Sequence, residues 1–200
     1  MWSDPVPQPG KVIVFSGPSG SGKSTVLREL LRRCQLPLQL SVSCTTRPPR
    51  RGEVDGQDYH FVTKEEFERR KAEGAFLECK EVFGRGDWYG TLRTTVQDGL
   101  DRGQWVILEI DVEGAMSVME QRDDLLTFFI HPGSEQELRS RLEGRSTDSP
   151  DAVERRLEVA RQELLALSRY KYEIINRNVD EAVDQICGIL EQHAIGAEHA

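Results

Sequence analysis

The chain has no apolar run approaching the roughly 20 residues that a membrane-spanning helix needs, so it is expected to work without a membrane. Its opening, Met-Trp-Ser-Asp-Pro-Val-Pro-Gln-Pro-Gly, has neither the basic n-region nor the apolar h-region of a secretory signal; residues 1–9 are expected to be a flexible leader. The four cysteines, Cys34, Cys44, Cys79 and Cys187, form no C-x-x-C pair and have no metal-like spacing with the scattered histidines. Free, reduced thiols in a cytoplasmic protein are the expectation, with Cys34 and Cys187 falling on helix patterns as core residues. Positive charge is in deficit: 26 Lys and Arg against 34 Asp and Glu leave a net charge of -8, which argues against a general nucleic-acid-binding surface. Internal repeats and low-complexity segments are missing too. What remains is a chain of 200 residues, 38% hydrophobic, enough for one globular domain with a sizeable core.

Against that background one stretch stands out. Residues 17–25 read Gly-Pro-Ser-Gly-Ser-Gly-Lys-Ser-Thr and fit G-x-x-x-x-G-K-[ST], the loop that wraps nucleotide phosphates. A chance match in a chain of this length is on the order of one in a hundred. The flanks are those the motif requires. Lys11–Ser16 reads as a buried strand and Lys23–Arg33 as a helix. Glycine permits the backbone to curl around an anion, and the N–H groups at the helix start face it. Gly17, Pro18, Ser19, Gly20, Ser21, Gly22, Lys23, Ser24 and Thr25 are therefore candidate ATP-binding residues. Lys23 is placed to reach the β- and γ-phosphates, and the Ser24 hydroxyl to ligate Mg²⁺.

The rest of the chain reads as an α/β fold around a parallel sheet. Apolar runs at Val12–Phe15, Trp105–Ile110 and Leu126–Ile130 alternate with helix-length segments. Ile174 and Ile175 suggest a short further strand. Val179, Val183, Ile186 and Leu190 form one face of a C-terminal helix. Two regions interrupt the alternation. Residues 43–91 contain short strand-like runs, Asp58–Val62 and Phe76–Phe83, around a helix at Lys64–Glu73, which predicts an inserted, partly β subdomain. Residues 139–156 carry Arg139, Arg141, Arg145, Arg155 and Arg156 in a polar stretch. Ser149-Pro150 starts a helix there, with Ser at N-cap and Pro at N1. An arginine-rich turn between helices, beside a phosphate loop, predicts a lid.

A phosphate loop alone does not separate a kinase from a hydrolase or a switch; residues 43–91 argue for a second substrate. Arg47 and Arg50 are three residues apart around a proline pair, and guanidinium forks bind phosphate oxygens bidentately. Tyr59 and Tyr89 could add hydroxyl donors. Glu78 and Asp111 lie in or beside apolar runs. An ionised carboxylate can accept from guanine N1–H and the 2-amino group together; adenine offers neither, and the polar groups left unpaired would cost of order 1–3 kcal/mol each.

With these segments in view, the chain resembles the guanylate kinase family from about Gly10 to Gln192. The resemblance is carried by Gly17–Thr25, by Ser41-Val-Ser-Cys-Thr-Thr-Arg-Pro-Pro-Arg50, and by Gly52-Glu-Val-Asp-Gly-Gln-Asp-Tyr-His-Phe61. Tyr89-Gly-Thr91, Leu108-Glu-Ile-Asp-Val-Glu-Gly114 and Arg141-Leu-Glu-Gly-Arg145 complete it. It implies the P-loop nucleoside monophosphate kinase fold: a parallel-sheet core (10–42, 92–138 and 157–193), an inserted mixed α/β GMP-binding subdomain (43–91) and a helical lid (139–156). Residues 194–200 would be a flexible tail. It also implies ATP and GMP as substrates, with ADP and GDP as products and Mg²⁺ as cofactor. By position, Arg47, Arg50, Tyr59 and Tyr89 would hold the GMP phosphate, and Ser43, Glu78, Thr91 and Asp111 would read guanine. Lys23, Arg141, Arg145 and Arg156 would be catalytic. Asn176 would contact adenine, and Glu109 would stand near Mg²⁺, bound through water. No residue clearly reads the sugar 2′-position, so dGMP is an expected second acceptor. A monomer or homodimer, without nucleic-acid partners, is expected.

Departures from the family pattern are few. The turn Gly84–Trp88 is longer, with an effect on Tyr89; Glu113 stands where Gln is expected, and Arg177 where Asp is expected. Arg85-Gly86-Asp87 spells an adhesion tripeptide and reads here as a turn. Three rivals stand beside the kinase reading. A non-catalytic scaffold on the same fold would have a degraded phosphate loop, whereas Gly22, Lys23 and Ser24 are intact. A kinase for another phosphorylated small molecule would lack reason for the Glu78–Asp111 pair. An ATP-hydrolysing switch would not need a second arginine-rich pocket.

Overall fold

The computed structural model describes residues 10–82, 86–144 and 149–197. Five parallel strands form the main sheet: β1 (Val12–Ser16), β2 (Leu38–Leu40), β7 (Trp105–Glu109), β8 (Leu125–His131) and β9 (Tyr172–Ile175), in the order β2-β7-β1-β8-β9. The four-stranded sheet is β4-β3-β6-β5, from β3 (Cys44–Thr45), β4 (His60–Phe61), β5 (Phe76–Val82) and β6 (Asp87–Leu92). The helices are α1 (Lys23–Arg33), α2 (Lys64–Ala72), α3 (Arg93–Asp101), α4 (Val112–Met119), α5 (Glu135–Glu143), α6 (Pro150–Leu164) and α7 (Val179–Ala197). Among the described residues no helix is long and apolar enough to cross a membrane.

Alternation along β1 organises the core. Ile13 and Phe15 point to one face, where they pack with Val26, Leu27 and Leu30 of α1 and with Val183, Ile186 and Leu190 of α7. Val12 and Val14 point to the other, against Val96 of α3 and Val112, Ala115 and Val118 of α4. A strand buried on both faces reads as a continuous apolar run, which is why β1, β7 and β8 are visible in the sequence. Cys34 and Cys187 are partly buried against the first cluster. Cys34 caps α1 in extended conformation rather than lying within it, and all four cysteines are free.

The central position of β1 decides where chemistry can occur. β1 pairs with β7 on one side (Phe15 opposite Glu109) and β8 on the other (Ser16 opposite Phe129). In open α/β sheets the crevice at the carboxyl ends of such strands receives ligands.

The small sheet has its own core, Cys44, Phe67 and Phe76, with the Phe67 and Phe76 rings stacked at 4.4 Å. In the β5–β6 hairpin, Glu78 pairs with Thr91, Cys79 with Gly90 and Lys80 with Tyr89, after a register shift between Phe76 and Glu78. Paired residues project to the same side and alternate along the strands. Glu78, Thr91, Lys80 and Tyr89 thus share one face, while Cys79 and Trp88 pack toward Phe67 on the other. A fourth cluster, Leu138, Leu142, Val153, Leu157 and Ala160, binds α5 to α6. Ser149 caps α6 by accepting from Ala152 N–H, with Pro150 in the first turn.

Candidate active site

The loop after β1 is built on glycines at positive φ: Gly17 at 133°, Gly20 at 94° and Gly22 at 89°. All three also lack room for a side chain, a Cβ on Gly20 lying 2.8 Å from Leu142 Cδ2. A Cβ on Gly17 would lie 2.1 Å from the Ile130 carbonyl oxygen, and one on Gly22 would lie 2.6 Å from Asn176 Nδ2. Gly22 is the N-cap of α1 and supplies no side-chain cap, and a helix N-terminus is a place where backbone N–H groups can meet an anion. Lys23 folds back across the loop and donates from Nζ to the carbonyls of Gly17 (2.6 Å) and Pro18 (3.1 Å). Thr25 N–H donates to the Gly22 carbonyl at 3.1 Å. Ser24 Oγ donates to Glu109 Oε1 at 2.6 Å. These hard oxygen donors, few in number, suit Mg²⁺, which takes its remaining ligands from water and phosphate.

Side chains from distant elements converge on the same loop. Asn176, 2% exposed, donates from Nδ2 to the Ser21 carbonyl at 2.8 Å. Arg141, on α5, donates to that carbonyl at 3.2 Å and to the Asn176 carbonyl at 2.7 Å. Arg156, on α6, donates to Ser19 Oγ at 2.7 Å. Arg145 lies outside the described residues, as does part of the Gly84–Trp88 turn. Glu163, two turns beyond Arg156, was not a sequence candidate. Burial first, with the charge of Asp111 adding to it, pushes its carboxyl up to about 7 against the opposing pull of Lys23, Lys80 and the Ser19 N–H.

A second polar constellation lies on the small sheet. Arg47 is buried, and its Nη1 and Nη2 donate to Glu53 Oε2 and Oε1, both at 2.9 Å. Its Nε donates to the Tyr89 hydroxyl at 3.0 Å. Tyr59 places its ring 5.4 Å from the guanidinium and 5.7 Å from the Tyr89 ring. Glu53 chiefly, through these bonds, holds Arg47 well above the usual arginine value despite burial. Arg50 is exposed; its backbone N–H donates to Glu53 Oε2 at 2.6 Å. Glu53 lies in the quoted Gly52–Phe61 segment, but nothing in the local pattern marks it as the partner of Arg47.

Beside this cluster lies a carboxylate pair. Glu78 is 8% exposed, and Thr91 Oγ1 donates to its Oε1 at 2.6 Å. Burial chiefly, with the charge of Asp111 adding to it, raises its pKa against the Thr91 bonds and the charge of Lys80. Asp111 is the N-cap of α4, accepting from Gly114 N–H at 2.8 Å. Gly114 brings the first turn of α4 close to Glu78: a Cβ there would lie 2.9 Å from Glu78 Oε2. Lys80 donates to Asp111 Oδ2 at 2.7 Å. Ser43 is half-buried immediately before β3, and its carbonyl accepts from His60 N–H at 2.9 Å. The two constellations share one electrostatic environment: Glu109 is felt at Tyr59, and Lys23, Asp111 and Lys80 are all felt at Glu163.

The chain thus holds a phosphate-loop motif and a second, arginine-centred polar cluster, and it matches the guanylate kinase family model over residues 9–193. The chain belongs to the guanylate kinase family. It is 55% identical over 189 residues to the guanylate kinase of Rhodopirellula baltica, covering 94% of this chain and 90% of that one. With the guanylate kinase of Thermobifida fusca it shares 46% over 183 residues, covering 92% of each. The crystal structure of guanylate kinase from Anaplasma phagocytophilum superposes with a TM-score of 0.75 at 36% identity, over 93% of this chain and 87% of that one. A gluconokinase from Sinorhizobium meliloti, at 18% identity and TM-score 0.52, shares the fold. Within the guanylate kinase frame, Glu53, Lys80, Gly114 and Glu163 are the residues the tertiary structure adds to the sequence-derived set.

Proposed function

We propose that the protein transfers the γ-phosphoryl group of ATP to GMP, giving ADP and GDP, and that dGMP serves as a second acceptor. In this reading residues 10–42, 92–138 and 157–193 form the core, 43–91 the GMP-binding subdomain and 139–156 the lid. The observation that carries it is the buried Glu78, held by Thr91 and flanked by Asp111, next to the Arg47–Tyr89 cluster. One face of the β5–β6 hairpin thereby offers acceptors for a guanine edge beside a guanidinium for a phosphate.

ATP is bound by the loop 17–25, with Asn176 toward the adenine. Arg47, Arg50, Tyr59 and Tyr89 hold the GMP phosphate; Ser43, Glu78, Thr91 and Asp111 read the base. Ser24 and, through water, Glu109 would hold Mg²⁺, which neutralises charge on the triphosphate when bound. The attacking GMP phosphate oxygen is already an anion, so the reaction needs in-line placement and charge neutralisation rather than a strong base. Lys23, Arg141, Arg145 and Arg156 supply that neutralisation at the transferring group. Lid closure excludes water and suppresses ATP hydrolysis. The free thiols and the mixed, net acidic surface accord with a cytoplasmic enzyme acting on small nucleotides.

The direct test is coupled ADP release with ATP and Mg²⁺ against GMP, dGMP, AMP, CMP, UMP and no acceptor. Turnover confined to the guanine nucleotides is expected. ATP binding with no turnover on any acceptor would move the scaffold reading to the front.

A further inference from the structure

The Asp111 carboxylate is gripped from two sides. Oδ1 accepts from the Gly114 N–H at 2.8 Å, the cap of α4. Oδ2 accepts from Lys80 Nζ at 2.7 Å, and the same ammonium reaches Glu113 Oε2 at 2.8 Å. Lys80 comes from β5, two residues beyond Glu78 and on the same face of the strand. Asp111 and Glu113 belong to the start of α4, which packs on the main sheet. One ammonium therefore joins the strand carrying the first purine-edge carboxylate to the helix turn carrying the second.

The surroundings favour a fixed, charged lysine. Its side chain is 23% exposed. Burial works against the ammonium, but the bonds to Asp111 and Glu113 more than offset it. Without that charge, Glu78, Asp111 and Glu113 would stand together as carboxylates with no cation from β5 between them, and mutual repulsion would turn Asp111 away. Glu113, which replaces the expected Gln, thus has a place in the structure: it is the second anchor of Lys80.

We propose that Lys80 is a positioning residue that determines guanine specificity: through Asp111 Oδ2 it fixes the second carboxylate at the purine edge, with Glu113 steadying the ammonium. This rests on the reading that Glu78 and Asp111 bind guanine. Lys80 does not touch the reacting atoms, so its removal acts on acceptor binding and leaves the chemical step alone.

The test is a double-mutant cycle on the full chain, Lys80→Met with Asp111→Asn, alongside Lys80→Arg. Steady-state KM for GMP and for ATP, kcat and melting temperature are measured for each. Lys80→Met is expected to raise the KM for GMP about tenfold, with kcat within about threefold and the KM for ATP unchanged. Lys80→Arg, which keeps the charge and a donor, is expected to recover most of the loss. The double variant is expected to be no worse for GMP than Asp111→Asn alone, because both act through one carboxylate. Lys80→Gln replaces Lys80→Met should the latter lower the melting temperature. A raised KM in Asp111→Asn with an unchanged KM in the Lys80 variants overturns the inference and leaves the guanine reading standing; additive effects overturn it as well. An unchanged KM in Asp111→Asn removes that residue from the base pocket and overturns both.

Discussion

Thr91 Oγ1 donates a 2.6 Å hydrogen bond to Glu78 Oε1 across the β5–β6 pair, fixing a carboxylate that is 8% exposed. The bond orients Glu78 and leaves Oε2 toward Gly114. Replacing the carboxylate by an amide substitutes a donor for an acceptor at the guanine edge. Glu78→Gln is expected to raise the KM for GMP by roughly tenfold to a hundredfold with the KM for ATP unchanged. Initial-rate kinetics with each substrate varied in turn decide this; an unaltered KM for GMP takes Glu78 out of the site.

Gly114 offers a sharper test, because two effects oppose each other there. Glycine within a helix is ordinarily worse than alanine by about 1 kcal/mol, so Gly114→Ala should stabilise α4. The added Cβ, however, would press on Glu78 Oε2 at 2.9 Å. The expected outcome is a protein of near-equal melting temperature, the overpacking offsetting the helix gain, whose KM for GMP rises about tenfold. A variant with unchanged GMP kinetics would mean that Glu78 can move without cost.

Arg47 and Glu53 form a bidentate pair with side chains only 10% and 19% exposed. Removing the acid leaves a buried guanidinium without its counter-charge and frees the fork to rotate. Glu53→Gln is expected to lower the melting temperature of the ligand-free protein by several degrees and to raise the KM for GMP. Because ligand-induced stabilisation falls as affinity falls, GMP at a fixed concentration should recover less thermal stability in the variant than in the unmodified chain. Equal GMP-induced shifts in differential scanning fluorimetry would show that Glu53 and the phosphate do not share Arg47.

Arg156 donates to Ser19 Oγ inside the phosphate loop. Arg156→Ala is expected to lower kcat by roughly a hundredfold or more, the cost of losing one donor to a transferring group, while the KM for GMP changes little. A loss confined to KM would make it a substrate-binding charge instead.

Glu163 gives the protein a pH signature. Its carboxyl is pushed up from 4.5 to about 7 by burial foremost. Between those values the folded chain binds more protons than the unfolded chain, so this group's contribution to stability falls as pH rises from about 4.5 through 7. Glu163→Gln removes that decline. Relative to the unmodified chain, the variant is expected to gain about 1–2 kcal/mol between pH 5 and pH 8, after allowance for solvent screening. Urea unfolding at both pH values measures it; a stability difference independent of pH would mean that Glu163 is ionised throughout.

How much could be read from the chain depended on whether the signal was local. The strand at Val12–Ser16, the loop 17–25 and the helix Lys23–Arg33 were legible because pattern, glycine placement and helix start lie within a single stretch. The Ser149–Pro150 helix start was legible for the same reason. Short strands were harder. Leu38–Leu40 is three residues at the sheet edge and half-buried, too brief for periodicity to register.

The site divides along the same line. Sequence by itself determined which residues are candidates for the chemistry: a lysine and glycines at motif spacing, arginines three apart, carboxylates beside apolar runs. Partners were decided by tertiary structure alone. Glu53 is within six residues of Arg47, yet its role requires the loop between them to fold back. Lys80 and Glu113 are 33 positions apart, and Gly114 matters because of a side chain that reaches it from another sheet. Alternation on β5 tells that Glu78 and Lys80 share a face, and a cap pattern tells that Asp111 starts a helix. That the face and the cap meet follows from packing the small sheet against α4, an interaction with no short-range trace in the sequence.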